Sequence, residues 1–484
     1  MIWVRLLDIL RIQIETDDID YLKDVKENFT FYVDGFRFMP QYRAGGWNGK
    51  TCLLNTANRS LPYGLLTDLI SFHKKNHPDK KLVIDEEVKK LFKGPELKIK
   101  YDLSLKPWSF QKDCIRSALK YTRGIIRSAT ASGKSLVISY IVKTLKENNI
   151  CEKQIIVVPT QSLVEQFYDD MIEYGIDKKS IGRVYTKYKD WDSDIVISTW
   201  QTLSKNHERL NNYDTIIIDE VHQCKALQLR KILAKSKRAK YRLGFTGTLH
   251  AGNLDNLNTK AYLGPIIREY PSGLLAEEGY ISKCKVKVIN VDYLSEYSGN
   301  YNDIKDDIFK NNYRLGIIHD IIKLLNHNIL ILVGKVKSEG DFLKQYLSTF
   351  NDIKKEIVFL SGRDDVNIRE KWRKECENRT DIVIIATYGI FQLGINIPSL
   401  RYIIFASPFK SKIRILQSIG RSLRKYSDKE YATIFDIADN VKYLDKQGPS
   451  RLRHYHSEGF NVEEISMKEG SIINPFQILS EISC

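Results

Sequence analysis

The chain contains the stretch Ser128-Ala129-Thr130-Ala131-Ser132-Gly133-Lys134-Ser135. An apolar run, residues 124–127, enters it, and an amphipathic run, residues 136–142, leaves it. A strand, a loop of small residues and then a helix form the setting in which backbone N–H groups and the positive end of a helix hold a phosphate. In such a loop Lys134 would contact the β- and γ-phosphates, and the Ser135 hydroxyl would bind Mg²⁺.

This stretch departs from the usual phosphate-loop pattern at one position. Ser128 stands where the pattern has its first glycine. Serine is small enough to fit there, but an ordinary strand-to-helix turn of small residues would have the same composition. The assignment of a nucleotide site therefore depends on what the rest of the chain supplies.

Composition limits the classes of protein to be considered. The 484 residues suffice for about three domains. Lysine and arginine exceed the acidic residues by 75 to 60, which gives a net charge of +15 and suggests a polyanionic partner such as nucleic acid. The seven cysteines include no Cys-x-x-Cys pair, which argues against a zinc ribbon and fits a reducing cytoplasm. No apolar run approaches ~18 residues, so we expect no membrane span, and the N-terminus lacks the pattern of a signal peptide.

Two series of short, uniformly apolar runs predict two parallel sheets. Each run is separated from the next by helix-like sequence, as expected for buried strands joined by crossover helices. The first series comprises residues 154–160, 194–199, 215–220 and 241–248; the second comprises 329–333, 357–360, 382–386, 402–405 and 432–436.

The predicted fold class is α/β, with two tandem doubly wound parallel-sheet lobes and a small N-terminal α+β domain. The predicted boundaries are an N-terminal domain at 1–95, a first lobe at 96–290, a linker or insertion at 291–312, a second lobe at 313–446 and a tail at 447–484. No phosphate loop recurs in the second series of strands.

Basic and aromatic residues alternate in the N-terminal segment 34–50. Arg37, Arg43 and Lys50 alternate there with aromatic residues that include Trp47. Cations can hold phosphates while flat rings stack on exposed bases, so the segment is a candidate DNA contact. An aromatic mini-core with solvated basic tips explains the pattern equally well.

Two further motifs carry groups suited to phosphoryl transfer. Asp219-Glu220-Val221-His222 follows an apolar run, so Asp219 could hold Mg²⁺ and Glu220 could polarise the attacking water. Arg421 and Arg424 are three residues apart and would share one helix face, where guanidinium groups can stabilise the transferred phosphoryl group. A capped helix and a surface basic helix are the corresponding structural alternatives.

Taken together, the motifs resemble those of the superfamily 2 helicases and translocases over residues 108–425. The matching segments are Gln111 ahead of motif I, Lys134 and Ser135 in motif I, 159–163 (Ia), 198–201 (Ib), 219–222 (II, in its DExH form), 246–248 (III), 386–398 (V) and 417–424 (VI). The resemblance implies two RecA-like lobes that bind ATP and Mg²⁺ between them.

The resemblance also implies roles for individual residues. Catalytic groups are Lys134, Asp219, Glu220, Gln417, Arg421 and Arg424, and metal ligands are Ser135 and Asp219. Nucleotide contacts are Gln111, which reads adenine, the loop 129–135, Gly394 and Asn396. Contacts to nucleic acid are Pro159, Thr160, Thr199, Trp200 and Thr387.

A narrower likeness extends over almost the whole chain. The segments 34–38, 47–49 and 61–65, which precede the helicase core, and 387–391 and 410–413 in the second lobe are similar to those of the UvsW-type helicases of tailed phages. This implies a monomeric cytoplasmic enzyme of DNA repair and recombination that unwinds or remodels forks, R-loops and four-way junctions. Its partner would be branched, duplex or single-stranded DNA, or an RNA–DNA hybrid.

Three alternatives remain open from the sequence. One is a duplex DNA translocase of a restriction or remodelling system that does not separate strands. A second is an RNA helicase. A third is a DNA-binding protein with a decayed ATPase, against which the intact Lys134, Asp219, Glu220, Arg421 and Arg424 argue.

Overall fold

A computed structural model describes residues 1–224, 226–247, 253–389, 397, 399–408, 419 and 431–472. Within it the chain divides into two compact units. The first contains residues 1–128 and 133–269, and the second contains residues 129–132 and the described part of the chain from residue 270 onward. None of the helices in the described ranges is long and apolar enough to cross a membrane.

A small α+β region opens the first unit. Its strands are β1 Ile2–Asp8, β2 Arg11–Glu15, β3 Thr30–Tyr32, β4 Lys50–Cys52, β5 Ser60–Pro62 and β6 Leu82–Ile84, and its helices are α1 Ile19–Asn28, α2 Pro40–Arg43, α3 Leu66–Asn76 and α4 Glu86–Phe92. Four strands form a sheet in the order β5-β2-β1-β6, and β3 pairs with β4. The side chains of β1 and β2 alternate in burial, because one face of the sheet covers a core.

The first parallel sheet follows in the same unit. Its strands are β7 Arg123–Ser128, β8 Gln154–Val158, β9 Ile181–Val184, β10 Ile195–Thr199, β11 Thr215–Ile218, β12 Tyr241–Thr246 and β13 Ile266–Tyr270, and its helices are α5 Ser109–Lys120, α6 Lys134–Glu147, α7 Gln161–Glu173, α8 Trp200–Lys205, α9 Ala226–Lys235 and α10 Asn253–Leu263. The strand order is β13-β7-β12-β11-β8-β10-β9. The central strands β8, β10, β11 and β12 are buried along their whole length, which explains their uninterrupted apolar sequences.

The second unit is built on another seven-stranded sheet. Its strands are β14 Lys283–Asp292, β15 Ile329–Val333, β16 Glu356–Leu360, β17 Ile382–Thr387, β18 Tyr402–Phe405, β19 Tyr431–Asp439 and β20 Asn461–Lys468, and its helices are α11 Ser272–Glu277, α12 Tyr301–Phe309, α13 Asn312–Leu324, α14 Phe342–Leu347, α15 Val366–Asn378 and α16 Gln447–Ser457. The order is β16-β17-β15-β18-β19-β14-β20, with parallel pairing. The structure thus confirms the predicted fold class.

The second sheet includes strands outside the predicted second lobe. β14 lies mostly in the range assigned to the first lobe, and β20 lies in the predicted tail, yet they pair with each other over eight positions. Their sequences are rich in charge because charged residues pair within the sheet: Lys287 Nζ, which is fully buried, lies 2.8 Å from a Glu463 oxygen. The predicted linker 291–312 likewise contains a helix, α12.

The N-terminal region and the first parallel sheet share a core. Ala261 of α10 is buried in the same cluster as Leu61 and Leu65. Arg123, the first residue of β7, is buried with its guanidinium 4.8 Å from the centre of the Tyr63 ring. Burial lowers the pKa of Arg123 to about 10. These contacts fix the α+β region directly on the first sheet.

The turn between β7 and α6 contains two left-handed residues. Gly133 has φ +73° and Ala131 has φ +71°. Glycine adopts this conformation readily, whereas alanine pays a steric penalty of roughly 1 kcal/mol. Ser128 is the last residue of β7 and is not among the residues with positive φ. A serine in place of the usual glycine is therefore accommodated without backbone strain.

The close packing at Gly64 predicts a strong effect of adding one methyl group. A Cβ at Gly64 would lie 1.9 Å from the backbone oxygen of Lys260. We expect Gly64→Ala to lower the free energy of unfolding by about 2 kcal/mol, as overpacking does. Gly46→Ala is the matched control, because its Cβ would meet nothing closer than 3.7 Å. Equal melting temperatures for the two variants would contradict the shared core.

The left-handed conformation of Ala131 predicts that glycine stabilises this position. Both Ala131→Gly and Ala129→Gly increase the freedom of the unfolded chain, but only the first relieves a positive φ. We expect Ala131→Gly to be more stable than Ala129→Gly by roughly 1 kcal/mol in denaturant unfolding. If Ala131→Gly is the less stable of the two, the conformation assigned to this turn is incorrect.

Candidate functional site

The phosphate loop lies at the carboxyl edge of the first sheet, where parallel strands typically present their ligand sites. Lys134 begins α6, and its Nζ lies 3.6 Å from a Glu220 oxygen and 3.4 Å from the backbone oxygen of Ser128. The side chains of Lys134 and Glu220 are only 10% and 14% exposed. The structure therefore brings the predicted lysine and one predicted carboxylate together in a largely buried site.

Asp219 follows β11 directly and is almost completely buried. Its Oδ1 atom has no hydrogen-bond partner among the residues that the structure describes. Burial, and after it the neighbouring Glu220 carboxylate, raise the pKa of Asp219 above its ordinary value, while Lys134 acts in the opposite direction. A buried carboxylate oxygen without a partner among the described residues is a candidate ligand for a cation.

The residues present fit a magnesium ion. Asp219 offers a carboxylate oxygen and Ser135, at the start of α6, offers a hydroxyl, and both are the hard oxygen ligands that Mg²⁺ takes. No group of three or more His, Cys, Asp or Glu side chains suited to a metal occurs among the described residues. Mg²⁺ typically keeps several waters and is held by one or two protein groups together with phosphates.

Glu220 and His222 form a network with the end of β12. The Glu220 backbone is left-handed, with φ +46°, and turns its carboxylate back toward the loop. His222 Nδ1 lies 3.3 Å from Glu220 Oε2 and 2.7 Å from the Thr246 hydroxyl. Motif II and the start of motif III are thus joined through one buried histidine. The pairing of His222 with Thr246 was not visible in the sequence, because 24 residues separate them.

Gln111 lies against the phosphate loop. The Gln111 Oε1 atom accepts a hydrogen bond from the Trp108 backbone N–H at 2.9 Å, and this bond caps α5. A Cβ added to Gly133 would lie 2.5 Å from Gln111 Nε2. Gly133 therefore needs to be glycine both for its backbone conformation and for the space occupied by this buried amide.

A groove of about 860 Å³ lies at the ends of the neighbouring strands β8 and β10. Pro159, Thr160 and Thr199, which motifs Ia and Ib predicted as contacts to nucleic acid, all line it. Each threonine hydroxyl accepts a backbone N–H at a helix N-terminus: Thr160 from Leu163 and Thr199 from Thr202. Two helix N-termini at one groove favour the binding of phosphate.

The groove also contains residues that the sequence analysis did not identify. Lys189, Trp191 and Arg209 line it, and the Arg209 guanidinium lies 5.1 Å from the Trp191 ring centre. Basic and aromatic residues alternate between Val184 and Ile195, and this pattern could have indicated a contact to nucleic acid. Only the fold shows that this segment lies beside the groove.

Trp200 and Thr387, the other two predicted contacts to nucleic acid, are partly and almost completely buried, respectively. Trp200 packs, partly buried, against the core of the first sheet. Thr387 ends β17 in the second unit and is only 9% exposed. Gly394, Asn396, Gln417, Arg421 and Arg424 lie outside the described residues.

The N-terminal segment contains a small aromatic cluster, one of the two alternatives that its sequence suggested. Phe36 stacks on Tyr32 with ring centres 4.8 Å apart and contacts Tyr42 edge-on at the same distance, which forms a small aromatic cluster. Trp47 donates its indole N–H to the Lys50 backbone oxygen at 2.8 Å. Phe38, by contrast, is 76% exposed.

The basic residues of this segment remain available to a ligand. Lys50 Nζ lies 4.9 Å from the Tyr32 ring centre, and Arg43 Nε donates to the Arg37 backbone oxygen at 3.3 Å. Within the ranges that the structure covers, none of Arg37, Arg43 and Lys50 forms an ion pair. The surface therefore carries three uncompensated positive charges.

Three family models match successive parts of the chain. Residues 1–85 match the N-terminal domain of DNA helicase UvsW, residues 104–251 match the res subunit of type III restriction enzymes, and residues 314–426 match the helicase conserved C-terminal domain. The last two cover most of the motif-bearing sequence in the two units.

Individual relatives agree with these models. The ATP-dependent DNA helicase UvsW of enterobacteria phage T4 is 29% identical over 95% of this chain and 98% of its own length. The DNA 3'-5' translocase XPB2 of Sulfurisphaera tokodaii is 26% identical over 73% of this chain and 85% of its own.

Solved structures show the same fold. A crystal structure of the UvsW helicase from bacteriophage T4 has a TM-score of 0.50 at 25% identity and covers 55% of this chain and 99% of that one. A fragment of a type I restriction HsdR subunit from Vibrio vulnificus has a TM-score of 0.59 at 17% identity over 76% of this chain and 70% of its own. The chain is therefore an ATP-dependent helicase of superfamily 2 and resembles phage T4 UvsW over nearly its whole length.

Proposed function

We propose that this helicase is a DNA motor that uses ATP to unwind or remodel branched DNA, including forks, R-loops and four-way junctions. The observation that carries the proposal is the meeting of Lys134 Nζ with Glu220 at 3.6 Å, beside the buried Asp219. The likeness to a phage DNA helicase along nearly the whole chain supports DNA as the substrate, and the match of residues 1–85 to the UvsW N-terminal model supports branched forms.

Phosphate binding would exchange the partners of Lys134. In the structure its ammonium is paired with Glu220, and a γ-phosphate at the loop offers it a more strongly charged partner. Glu220, released from Lys134, would then orient the attacking water and accept its proton, with His222 Nδ1 3.3 Å from its other oxygen. Mg²⁺, held by Ser135 and Asp219, would neutralise charge on the β- and γ-oxygens.

The remaining nucleotide contacts are proposed from the motifs. We assign Gln111, whose amide lies beside Gly133, to recognition of the adenine base. We assign Gln417, Arg421 and Arg424 to stabilisation of the transferred phosphoryl group. Gly394 and Asn396 complete the proposed nucleotide contacts.

The groove at Pro159, Thr160 and Thr199 is proposed to hold one DNA strand by its phosphates. Lys189 and Arg209 add positive charge, and Trp191 offers a ring on which a base can stack. Trp200 would act indirectly, by supporting the groove from the core, and Thr387 would contact the strand from the second lobe. We propose that the enzyme works as a monomer in the cytoplasm and also accepts RNA–DNA hybrids.

A second candidate function is duplex translocation without strand separation. The match of residues 104–251 to the res subunit of type III restriction enzymes favours it. The two candidates differ in a direct way, because a helicase displaces a strand from a fork, whereas a translocase displaces a third strand from a triplex and leaves the duplex intact. Displacement of the triplex strand with no unwinding of forks would favour the second candidate.

Removal of the phosphate-loop lysine tests the nucleotide site. We expect Lys134→Ala to abolish DNA-stimulated ATP hydrolysis, because the lysine of a phosphate loop contacts the β- and γ-phosphates directly. Lys143→Ala is the matched control: it removes a lysine from the same helix that is paired with Asp102 and Glu147. Near-normal turnover of Lys134→Ala in a phosphate-release assay would refute the assignment.

Salt dependence tests the N-terminal surface. Replacing Arg37, Arg43 and Lys50 with alanine should weaken binding to forked DNA and reduce the slope of log K against log salt by up to about 3. The matched control replaces Lys23, Lys80 and Lys89, which are paired with carboxylates in the same domain. An equal slope for the two triple variants would favour a purely structural role for the aromatic cluster.

A further inference from the structure

One helix extends from the nucleic-acid groove toward the phosphate loop. α7 is capped at its N-terminus by Thr160, and Thr160 and Gln161 both line the groove. The helix has 13 residues, so it is about 20 Å long. Its C-cap residue is Tyr174. α7 therefore lies between the two sites and has one end in the groove.

The far end of α7 reaches the proposed metal ligand. The Tyr174 hydroxyl lies 3.1 Å from the Ser135 hydroxyl, which is a hydrogen bond in which either oxygen can donate. Both side chains are partly buried. A phenol and a serine hydroxyl in contact at the start of α6 are not explained by the motif pattern, because Tyr174 lies outside every motif.

α7 is fixed to the first lobe by buried side chains and by hydrogen bonds at its C-terminus. Three of its own side chains, Val164, Phe167 and Met171, are buried. At its C-terminus, Ser104 donates its backbone N–H to the Tyr174 backbone oxygen at 3.0 Å and its hydroxyl to the Glu173 oxygen at 2.8 Å. One continuous helix with a packed face therefore joins the groove end at Thr160 to the Tyr174 end.

We propose that Tyr174 is a positioning residue that links occupancy of the groove to the Ser135 hydroxyl. A serine that binds a cation through its oxygen lone pair still carries one proton, and Tyr174 Oη is placed to accept it. Such partners orient a metal ligand and tune its affinity. A DNA strand that moves Thr160 and α7 changes the position of Tyr174 Oη and hence the orientation of Ser135.

The link is reciprocal. If DNA in the groove changes nucleotide affinity by some factor, the nucleotide changes DNA affinity by the same factor, because both are differences around one thermodynamic cycle. This inference rests on the proposed function, since it requires that nucleotide and DNA bind at the two sites. The inference adds Tyr174 as the residue that couples the nucleotide site to the DNA site.

The experiment measures binding without turnover. The affinity of a fluorescent ADP is determined in Mg²⁺, with and without saturating single-stranded DNA, for the wild type and for Tyr174→Phe, which removes only the hydroxyl. Tyr168→Phe is the matched control, because it removes a hydroxyl from the same helix and keeps the ring that stacks on Arg183 at 4.1 Å. The Ser135→Ala variant, with and without Tyr174→Phe, completes a double-mutant cycle.

We expect the wild type and Tyr168→Phe to show the same DNA-induced change in affinity. In Tyr174→Phe, the ratio of the ADP affinities with and without DNA should move at least about threefold closer to one. In the Ser135→Ala background, Tyr174→Phe should have no further effect on this ratio. An unchanged coupling in Tyr174→Phe, or an equal loss in the Ser135→Ala background, would overturn the inference and leave the proposed function standing. A wild-type protein that binds no nucleotide would overturn both.

Discussion

The pairing of Lys134 with Glu220 is the interaction on which the account of the site depends. Both groups are largely removed from water, so neither is stable as an isolated charge, and each holds the other in place beside Asp219. A triphosphate changes this balance because it brings a stronger anion for the lysine and, with a cation, a partner for the orphaned Asp219 oxygen. Burial thus makes the site ready to exchange one set of partners for another.

The parallel sheet determines which residues can take part in this exchange. Most polar residues of the buried strands lie at the strand ends, and the carboxyl ends of β7, β8, β10, β11 and β12 share one edge. Ser128, Lys134, the acidic pair, Thr246 and the groove therefore lie at one edge of the first sheet. His222 and α7 connect these parts physically, by a 2.7 Å contact to Thr246 and a 3.1 Å contact from Tyr174 to Ser135.

The sequence best predicted those features that depend on residues close together in the chain. Apolar runs located the central strands, and the order of motifs located Lys134 and Glu220 before any contact between them was visible. β14 and β20 were missed because their buried charges, such as Lys287 with Glu463, resemble surface sequence until the strands are paired. Tyr174 and Arg209 were missed for a related reason, since their roles depend on which helix end lies next to which strand. In the N-terminal segment only the structure separates Phe36, which packs, from Phe38, which is exposed.

The central claim is the exchange of partners at Lys134, and a crystal structure of the protein with Mg²⁺, ADP, beryllium fluoride and a DNA strand tests it most directly. The account predicts that Lys134 Nζ leaves Glu220 and lies about 3 Å from the fluoride that replaces the γ-phosphate, with Glu220 facing the attacking water. It also predicts that the metal is bound by Ser135 and Asp219. A nucleotide bound elsewhere, with Lys134 still paired to Glu220, would contradict it.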